Sequence, residues 1–351
     1  MKNKQTKILI NTPSLKKLGG VSNHYIGLKN KWLTNVFYNT IGSRYNIPTV
    51  FLFPFDLIKF IIKLIILNPD IVVINPSLQN YALRRDAFFL KLSKILNFKT
   101  VVFFHGWSNE MESKIDNNEY DLHKNYSKAD LILVLANDFK IKLRKWGFTC
   151  PVELTTTKVD DDLISNFDFT KKVNSKSILF LARIEKEKGV YIVLDTFKKL
   201  KDKYVDLTLS IVGDGAELND VKNYIFENCI QDVKVSGRLS GQLLKDEFKN
   251  NTIYFFPTFH GEGMPTSILE AMAFGLVVVS RPVGGTKDFF SSEMGELTES
   301  KDPEVYFEIL NNYLSNEYLL QEISTFNHNY AKHNFLASSV AKKLESLFEK
   351  I

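Results

Sequence analysis

The sequence predicts an α/β protein made of two doubly wound, Rossmann-like domains facing across a cleft. Three observations predict it. Short runs of Val, Ile, Leu and Phe alternate with longer helix-patterned segments along the whole chain. The length of 351 residues, at roughly 150 residues per domain, suits about two cores. Glycines and charged residues cluster directly after the apolar runs, where a parallel sheet places its ligand-facing loops.

In the first half the strand candidates are Lys7 to Asn11, Ile71 to Asn75, Thr100 to Phe104 and Leu131 to Leu135. In the second they are Ser177 to Leu181, Leu207 to Val212, Val233 to Val235, Ile253 to Phe256 and Val277 to Ser280. Each is bounded by Gly, Pro, Asp or Asn and followed by a helix-like segment. A strand buried on both faces reads as a continuous apolar run, so both sheets are predicted parallel. Asp160 to Ser177 is polar and lysine-bearing and reads as the linker. The domains are therefore 1–170 and 171–335, followed by a C-terminal helix, 336–351, that could pack back on the first domain.

The long apolar stretch at 50–68, VFLFPFDLIKFIIKLIILN, is nearly long enough to span a bilayer. Asp56, Lys59 and Lys63 fall on one helical stripe, with Leu57, Ile58, Ile61, Ile62, Leu64 and Ile65 elsewhere, which makes it an amphipathic helix. Packing against a sheet is the expected fate of its apolar side, with a membrane interface as the alternative.

Composition narrows the class. Apolar residues make up 44% and charged residues 24%, which excludes disorder and collagen-like repeats. Cys150 and Cys229 are too few for a disulfide framework or a structural zinc site. The opening MKNKQTKILINTPS has a four-residue apolar run, too short for a signal peptide, so a cytoplasmic protein is expected. Residues 1–170 hold 23 Lys+Arg against 15 Asp+Glu, and residues 171–351 hold 22 against 25. Basic charge confined to the first half suits a polyanion or an anionic membrane surface, or is simply a solvated lysine-rich face.

The motifs follow strands. Gly19-Gly20, with His24 in the helix that follows, lets backbone amides approach a ligand. His105-Gly106 follows the Thr100 strand. Arg183 and Lys188, five apart, follow the Ser177 strand and precede Gly189. Gly213-Asp214-Gly215 and Ser236-Gly237-Arg238 follow the next two. The fullest motif is HGEGMPTSILEAMAFGLVVVSRPVGG at 260–285. Pro265 and Gly275 bracket a helix, Thr266 to Phe274, whose free N-terminal amides can face phosphate or sugar oxygens. Glu262 precedes it and Glu270 lies inside it, and carboxylates grip paired hydroxyls well because they only accept.

These residues resemble the retaining nucleotide-sugar glycosyltransferases of the GT-B fold, specifically glycosyltransferase family 4. The resemblance runs through both halves, and its specific part is the pair of glutamates eight apart in E-G-x-P-x-x-x-L-E-A-M-A-x-G. It implies an acceptor-side first domain and a second domain that binds a nucleoside-diphosphate sugar, used as co-substrate with no cofactor. It makes Arg183 and Lys188 the clamp on the donor diphosphate and Glu270 the acceptor of ribose hydrogen bonds. Glu262, helped by the amides of Gly263, Met264 and Thr266, contacts the transferred sugar. His105 lies beside the reacting sugar, Gly19 and Gly20 near the diphosphate, and Gly213 and Gly237 along the donor. Catalytic candidates are thus His105, Arg183, Lys188 and Glu262. The family's reaction retains anomeric configuration and needs no protein nucleophile. The acceptor is expected to be a glycan, lipid-linked, as in bacterial surface polysaccharide synthesis. One departure is visible: Thr156-Thr157-Lys158-Val159-Asp160 stands where relatives often carry Pro-Asn-Gly-Val-Asp.

Other readings weigh less. A nicotinamide dehydrogenase needs the G-x-G-x-x-G fingerprint, which neither Leu18-Gly19-Gly20 nor Gly213-Asp214-Gly215-Ala216-Glu217-Leu218 supplies. A sugar-nucleotide epimerase or hydrolase, or a non-catalytic sugar-nucleotide binder, remains the alternative. No metal is expected. Asp160-Asp161-Asp162 reads as a turn or helix cap rather than a metal-holding Asp-x-Asp, and His123, His260 and His333 have no partners at ligand spacing. Nucleic acid is not an expected partner. Any one of the single residues could be an ordinary surface or satisfied group, Gly213 and His24 above all; their order and shared position after strands carry the reading.

Overall fold

A computed structural model describes residues 5–16, 19–42, 48–172 and 175–351. The chain forms two compact units: Met1–Lys158 with Gly261–Met264 and Ala337–Ile351, and Val159–His260 with Pro265–Leu336. In the first, β1 (Lys7–Pro13), β2 (Asn35–Ile41), β3 (Ile71–Ile74), β4 (Lys99–Phe104), β5 (Leu131–Val134) and β6 (Val152–Leu154) form one sheet in the order β2-β1-β3-β4-β5-β6. In the second, β7 (Ser177–Leu181), β8 (Thr208–Val212), β9 (Val233–Val235), β10 (Ile253–Phe256), β11 (Val277–Ser280) and β12 (Gly295–Leu297) follow the order β12-β11-β10-β7-β8-β9. Every pairing is parallel. The structure is a two-domain α/β protein of the GT-B fold, with β3, β5, β10 and β11 buried at every position.

Three strands were not predicted, and all three lie at sheet edges. β2, β6 and β12 have neighbours on one side only, and most of their residues are half-exposed or exposed. An edge strand needs no continuous apolar run, so its signal is weak.

The apolar 50–68 stretch forms a helix, Thr49–Leu67, that faces opposite to expectation. Asp56, Phe60 and Leu64 are its buried side, at 1%, 0% and 1% exposure. Asp56 accepts a 2.9 Å hydrogen bond from the Gly42 amide, so the carboxylate serves a buried backbone donor and points inward. The predicted linker is also more ordered than its composition suggests. It contains a short helix, Asp161–Ile164, and a turn at Phe169–Lys171, and belongs to the second unit. Phe167 packs 4.8 Å from Phe274, Phe169 stacks 4.4 Å from His328, and Gly275 is bare because a Cβ there would meet the Phe169 ring at 2.5 Å. The three aspartates open the short helix, where negative charge suits the helix dipole.

The C-terminal helix, Ala337–Phe348, belongs to the first unit, burying Val340, Ala341, Leu344 and Phe348 and adding one polar anchor. Glu345, 6% exposed, accepts from the Leu33 and Thr34 amides at 2.8 Å each and from the Thr34 hydroxyl at 2.7 Å. Glu345→Ala strands two backbone donors at once. It should lower stability by about 2–4 kcal/mol, measured by urea unfolding against wild type, with Glu345→Gln retaining a good part of the difference.

Candidate active site

In the second unit, the loops after β7, β8 and β9 are laced together by their own backbone. The Ala182 amide donates to Val212, Ile184 to Asp214 and Gly213 to Gly237, at 3.1, 3.0 and 2.8 Å. Together they wall a pocket of about 770 Å³ whose lining includes Arg183, Gly213, Gly215, Arg238, Leu244 and Ser267. That is room for a nucleotide-sized ligand. Gly213 and Gly215 are required by the lacing itself. A Cβ on Gly213 would come within 1.8 Å of the Ala182 carbonyl, and one on Gly215 within 2.4 Å of Ile184. Gly237, at φ 66°, faces open space instead.

Arg183 lines this pocket with an exposed guanidinium that pairs with Glu185 at 2.6 Å. Lys188 does not line it. It is 5% exposed, in a tight turn that Gly189 ends at φ 85°. That turn is pinned to the loop after β10: the Phe259 and His260 amides both donate to the Glu187 carbonyl, and a Cβ on Gly189 would meet the Pro257 carbonyl at 2.5 Å. Thr266 and Glu270, half-buried, lie on the Thr266–Ala273 helix. Its start is held by Tyr254, whose hydroxyl donates to the Leu181 carbonyl at 2.9 Å and lies 2.7 Å from the Ser267 hydroxyl. Arg238 and Ser267 share the Arg183 pocket but were not singled out as site residues, since lone Arg and Ser residues carry no signal until the fold brings them together.

In the first unit, the chemistry gathers at the carboxyl ends of β1, β3 and β4. His105, half-buried after β4, donates from Nε2 to Asn75 Oδ1 at 3.0 Å. Asn75 cannot turn its amide over, because its Nδ2 donates to the Asn11 carbonyl at 2.7 Å and its Oδ1 also accepts from the Tyr25 hydroxyl at 2.6 Å. His105 therefore carries its proton on Nε2 and leaves Nδ1 as an acceptor. Loss of water contact, with His24 beside it, holds its pKa well below the ordinary histidine value. Gly261–Met264 belongs to this unit, and a Cβ on Gly263 would lie 3.1 Å from the His105 carbonyl. Gly263 thus lies against His105 although far from it in sequence. Gly19 sits just before the Gly20–Leu28 helix, and Gly20 has nothing within 4 Å of where a Cβ would be. Leu18 lies outside the described residues.

His24 is the residue whose surroundings sequence could not reveal. It is 2% exposed, edge-on to His105 at 5.0 Å and to Phe103 at 5.6 Å, and neither ring nitrogen has a hydrogen-bond partner. Burial, then the charge of nearby Lys158, pulls its pKa to about 3. Among the described residues no group of three or more His, Cys, Asp and Glu side chains is placed to hold a metal ion.

Comparison with known proteins follows the same division. Residues 163–330 match the family model of glycosyl transferases group 1. The chain is 30% identical over 135 residues, 38% of its length and 34% of the other's, to the 2-deoxystreptamine N-acetyl-D-glucosaminyltransferase of Niallia circulans. It is 23% identical to the capsular polysaccharide biosynthesis glycosyltransferase CapM of Staphylococcus aureus, over 61% of this chain and 56% of that one. The chain spans about half the length of the curated relatives it matches. In structure it is similar to Anabaena Alr3699/HepE, solved in complex with UDP and glucose, with TM-score 0.72, 16% identity and coverage of 99% and 100%.

The depressed His24 pKa gives stability a pH dependence with a definite sign. The unfolded chain protonates this histidine near its ordinary value of 6.5 while the folded chain resists until about 3. The stabilisation is complete above 6.5 and is lost as pH falls through that window, by up to about 1.4 kcal/mol per unit. Unfolding midpoints measured from pH 7 to 4 should fall more steeply for wild type than for His24→Leu.

Proposed function

We propose that this protein is a glycosyltransferase that moves a sugar from a nucleoside-diphosphate sugar to a glycan acceptor, with retention of configuration and without a divalent metal. The acceptor is lipid-linked, a precursor of a bacterial surface polysaccharide at the cytoplasmic face of the membrane. The observation that carries the reading is the pocket beyond β7, β8 and β9, with Arg183 and Arg238 on its wall and the start of the Thr266–Ala273 helix contributing Ser267. Two guanidiniums and free helix amides suit a diphosphate. The group 1 family match over 163–330 and the polysaccharide-building names of several relatives support the same reading.

In mechanism, Arg183 and Arg238, which share the pocket wall, stabilise charge that grows on the departing phosphate, which then takes the acceptor's proton on the same face of the sugar. Glu270 accepts from the ribose hydroxyls. Glu262 and the Gly263, Met264 and Thr266 amides hold the transferred sugar. His105, neutral and fixed in orientation by Asn75, presents either its Nδ1 lone pair or its carbonyl to the reacting sugar without adding charge. Because the cationic role is filled by side chains, no metal is needed.

A panel of nucleotide sugars, incubated with membrane lipid extract and without it, tests this directly. Transfer from one donor into the lipid fraction is the expected result, and Arg183→Ala should slow it about 30- to 1000-fold, the effect of losing roughly 2–4 kcal/mol of transition-state stabilisation. Binding of a nucleotide sugar without turnover, unchanged in His105→Ala, would instead identify a sensor. EDTA should leave the rate unchanged; loss of activity restored by magnesium or manganese would overturn the metal-independent mechanism.

A further inference from the structure

The Thr49–Leu67 helix turns a full apolar stripe away from its own unit. Phe51, Phe55, Ile58, Ile62, Ile65 and Ile66 are between 49% and 74% exposed. At about 100° per residue these six fall within an arc of roughly 100°. The adjoining helix, Asn80–Ile95, continues the surface: Phe53 of the first packs 5.6 Å from Phe88 of the second. Tyr81, Arg84, Phe88, Lys91 and Ile95, spaced three and four apart, are all exposed and make one stripe that alternates apolar with basic. A contiguous apolar face of this kind is rare on a protein that works alone in water.

Charge identifies what covers it. The acids of these two helices are Asp56 and Asp86, at 1% and 0% exposure. Asp56 serves the Gly42 amide and Asp86 pairs with Arg85 at 2.8 Å. The exposed charges of both helices are Lys59, Arg84 and Lys91, all basic. A second copy of the chain would bring like charges together across such a face, whereas anionic lipid complements it. Long basic side chains can also hold their heads at phosphate level while their stems lie among acyl chains.

We propose that this face docks the first unit on an anionic lipid bilayer, its apolar side chains entering the headgroup–acyl boundary and Lys59, Arg84 and Lys91 meeting lipid phosphates. The helix lies in the interface. Its buried Asp56 side keeps it in the protein, and no helix among the described residues is long and apolar enough to cross a membrane. The proposal deepens the lipid-linked acceptor reading by naming the surface that brings the enzyme to it, and rests on that reading only for its purpose.

Vesicle sedimentation tests the docking apart from catalysis. The full chain should pellet with phosphatidylcholine vesicles containing phosphatidylglycerol and much less with phosphatidylcholine alone, and salt should release it. Phe55→Ser with Ile62→Ser, both at exposed positions, should weaken binding at least about tenfold. Lys59→Ala and Lys91→Ala should each weaken it roughly fivefold on the anionic vesicles only. Circular dichroism and calorimetric binding of a nucleoside diphosphate, unchanged in these variants, show that fold and donor pocket are intact. A folded, nucleotide-binding wild type that ignores anionic vesicles would overturn the docking while leaving the transferase reading in place. So would a dimer in sedimentation velocity that Phe55→Ser with Ile62→Ser dissolves, since the face would then belong to a second copy.

Discussion

A parallel sheet covered by helices on both sides leaves its polar chemistry almost nowhere to go except beyond the strand ends, and this constraint arranges both units. The interiors of β3, β5, β10 and β11 are wholly apolar or backbone-satisfied. Asn11, Asn75 and His105 all lie at or just past carboxyl ends of β1, β3 and β4. Arg183, Gly213 and Gly237 lie just past β7, β8 and β9. The same constraint in two sheets yields two different surfaces. One is lined by guanidiniums. The other is built from a neutral histidine, two asparagines and a tyrosine, linked by hydrogen bonds.

The neutral surface is specified by a chain of donors and acceptors. The Asn11 carbonyl fixes the Asn75 amide, Asn75 fixes the proton of His105, and the Tyr25 hydroxyl occupies the remaining direction on Asn75 Oδ1. Phe103 packs against His105 at 3.7 Å between ring centres, removing water that would favour the protonated form. In the proposed reaction a charged imidazolium here would repel a sugar centre that gains positive character, so burial that lowers the pKa would also serve that chemistry. Positioning and electrostatics thus come from the same contacts.

How much of this was legible depends on what each residue needs. Central strands announced themselves, because burial on both faces demands apolar runs; β2, β6 and β12 did not, because an edge makes no such demand. The Thr266–Ala273 helix was readable from Pro265 and Gly275. Asp56 misled: a helical-wheel argument places a carboxylate outward, whereas folding brings the Gly42 amide near and the carboxylate points in to accept from it. Likewise Phe167 and Phe169 sat in a stretch whose lysines and aspartates suggested a linker, and their partners Phe274 and His328 come from more than a hundred residues away. What sequence could not express was pairing between distant segments, which is where Arg238, Ser267 and the surroundings of His24 acquire meaning.

The glycines show why a motif can be matched for reasons other than ligand binding. Gly213, Gly215 and Gly189 are bare because a neighbouring carbonyl already occupies the space, at 1.8, 2.4 and 2.5 Å from a Cβ. Gly20 and Gly237 are bare beside open space. The first group lets one loop lie on the next, so any sequence that keeps this loop packing must keep it, whether or not a nucleotide ever arrives. For the second group packing supplies no reason, apart from the left-handed backbone of Gly237, and a side chain at Gly20 would meet no clash. In the proposed reaction, a ligand approaching the backbone would give Gly20 its reason. The shape of the pocket beyond β7 and β8 is thus held by Gly213 and Gly215, whose space is already taken, while Gly20 and Gly237 leave their backbone open, and packing and openness fall on different residues of one recognisable pattern.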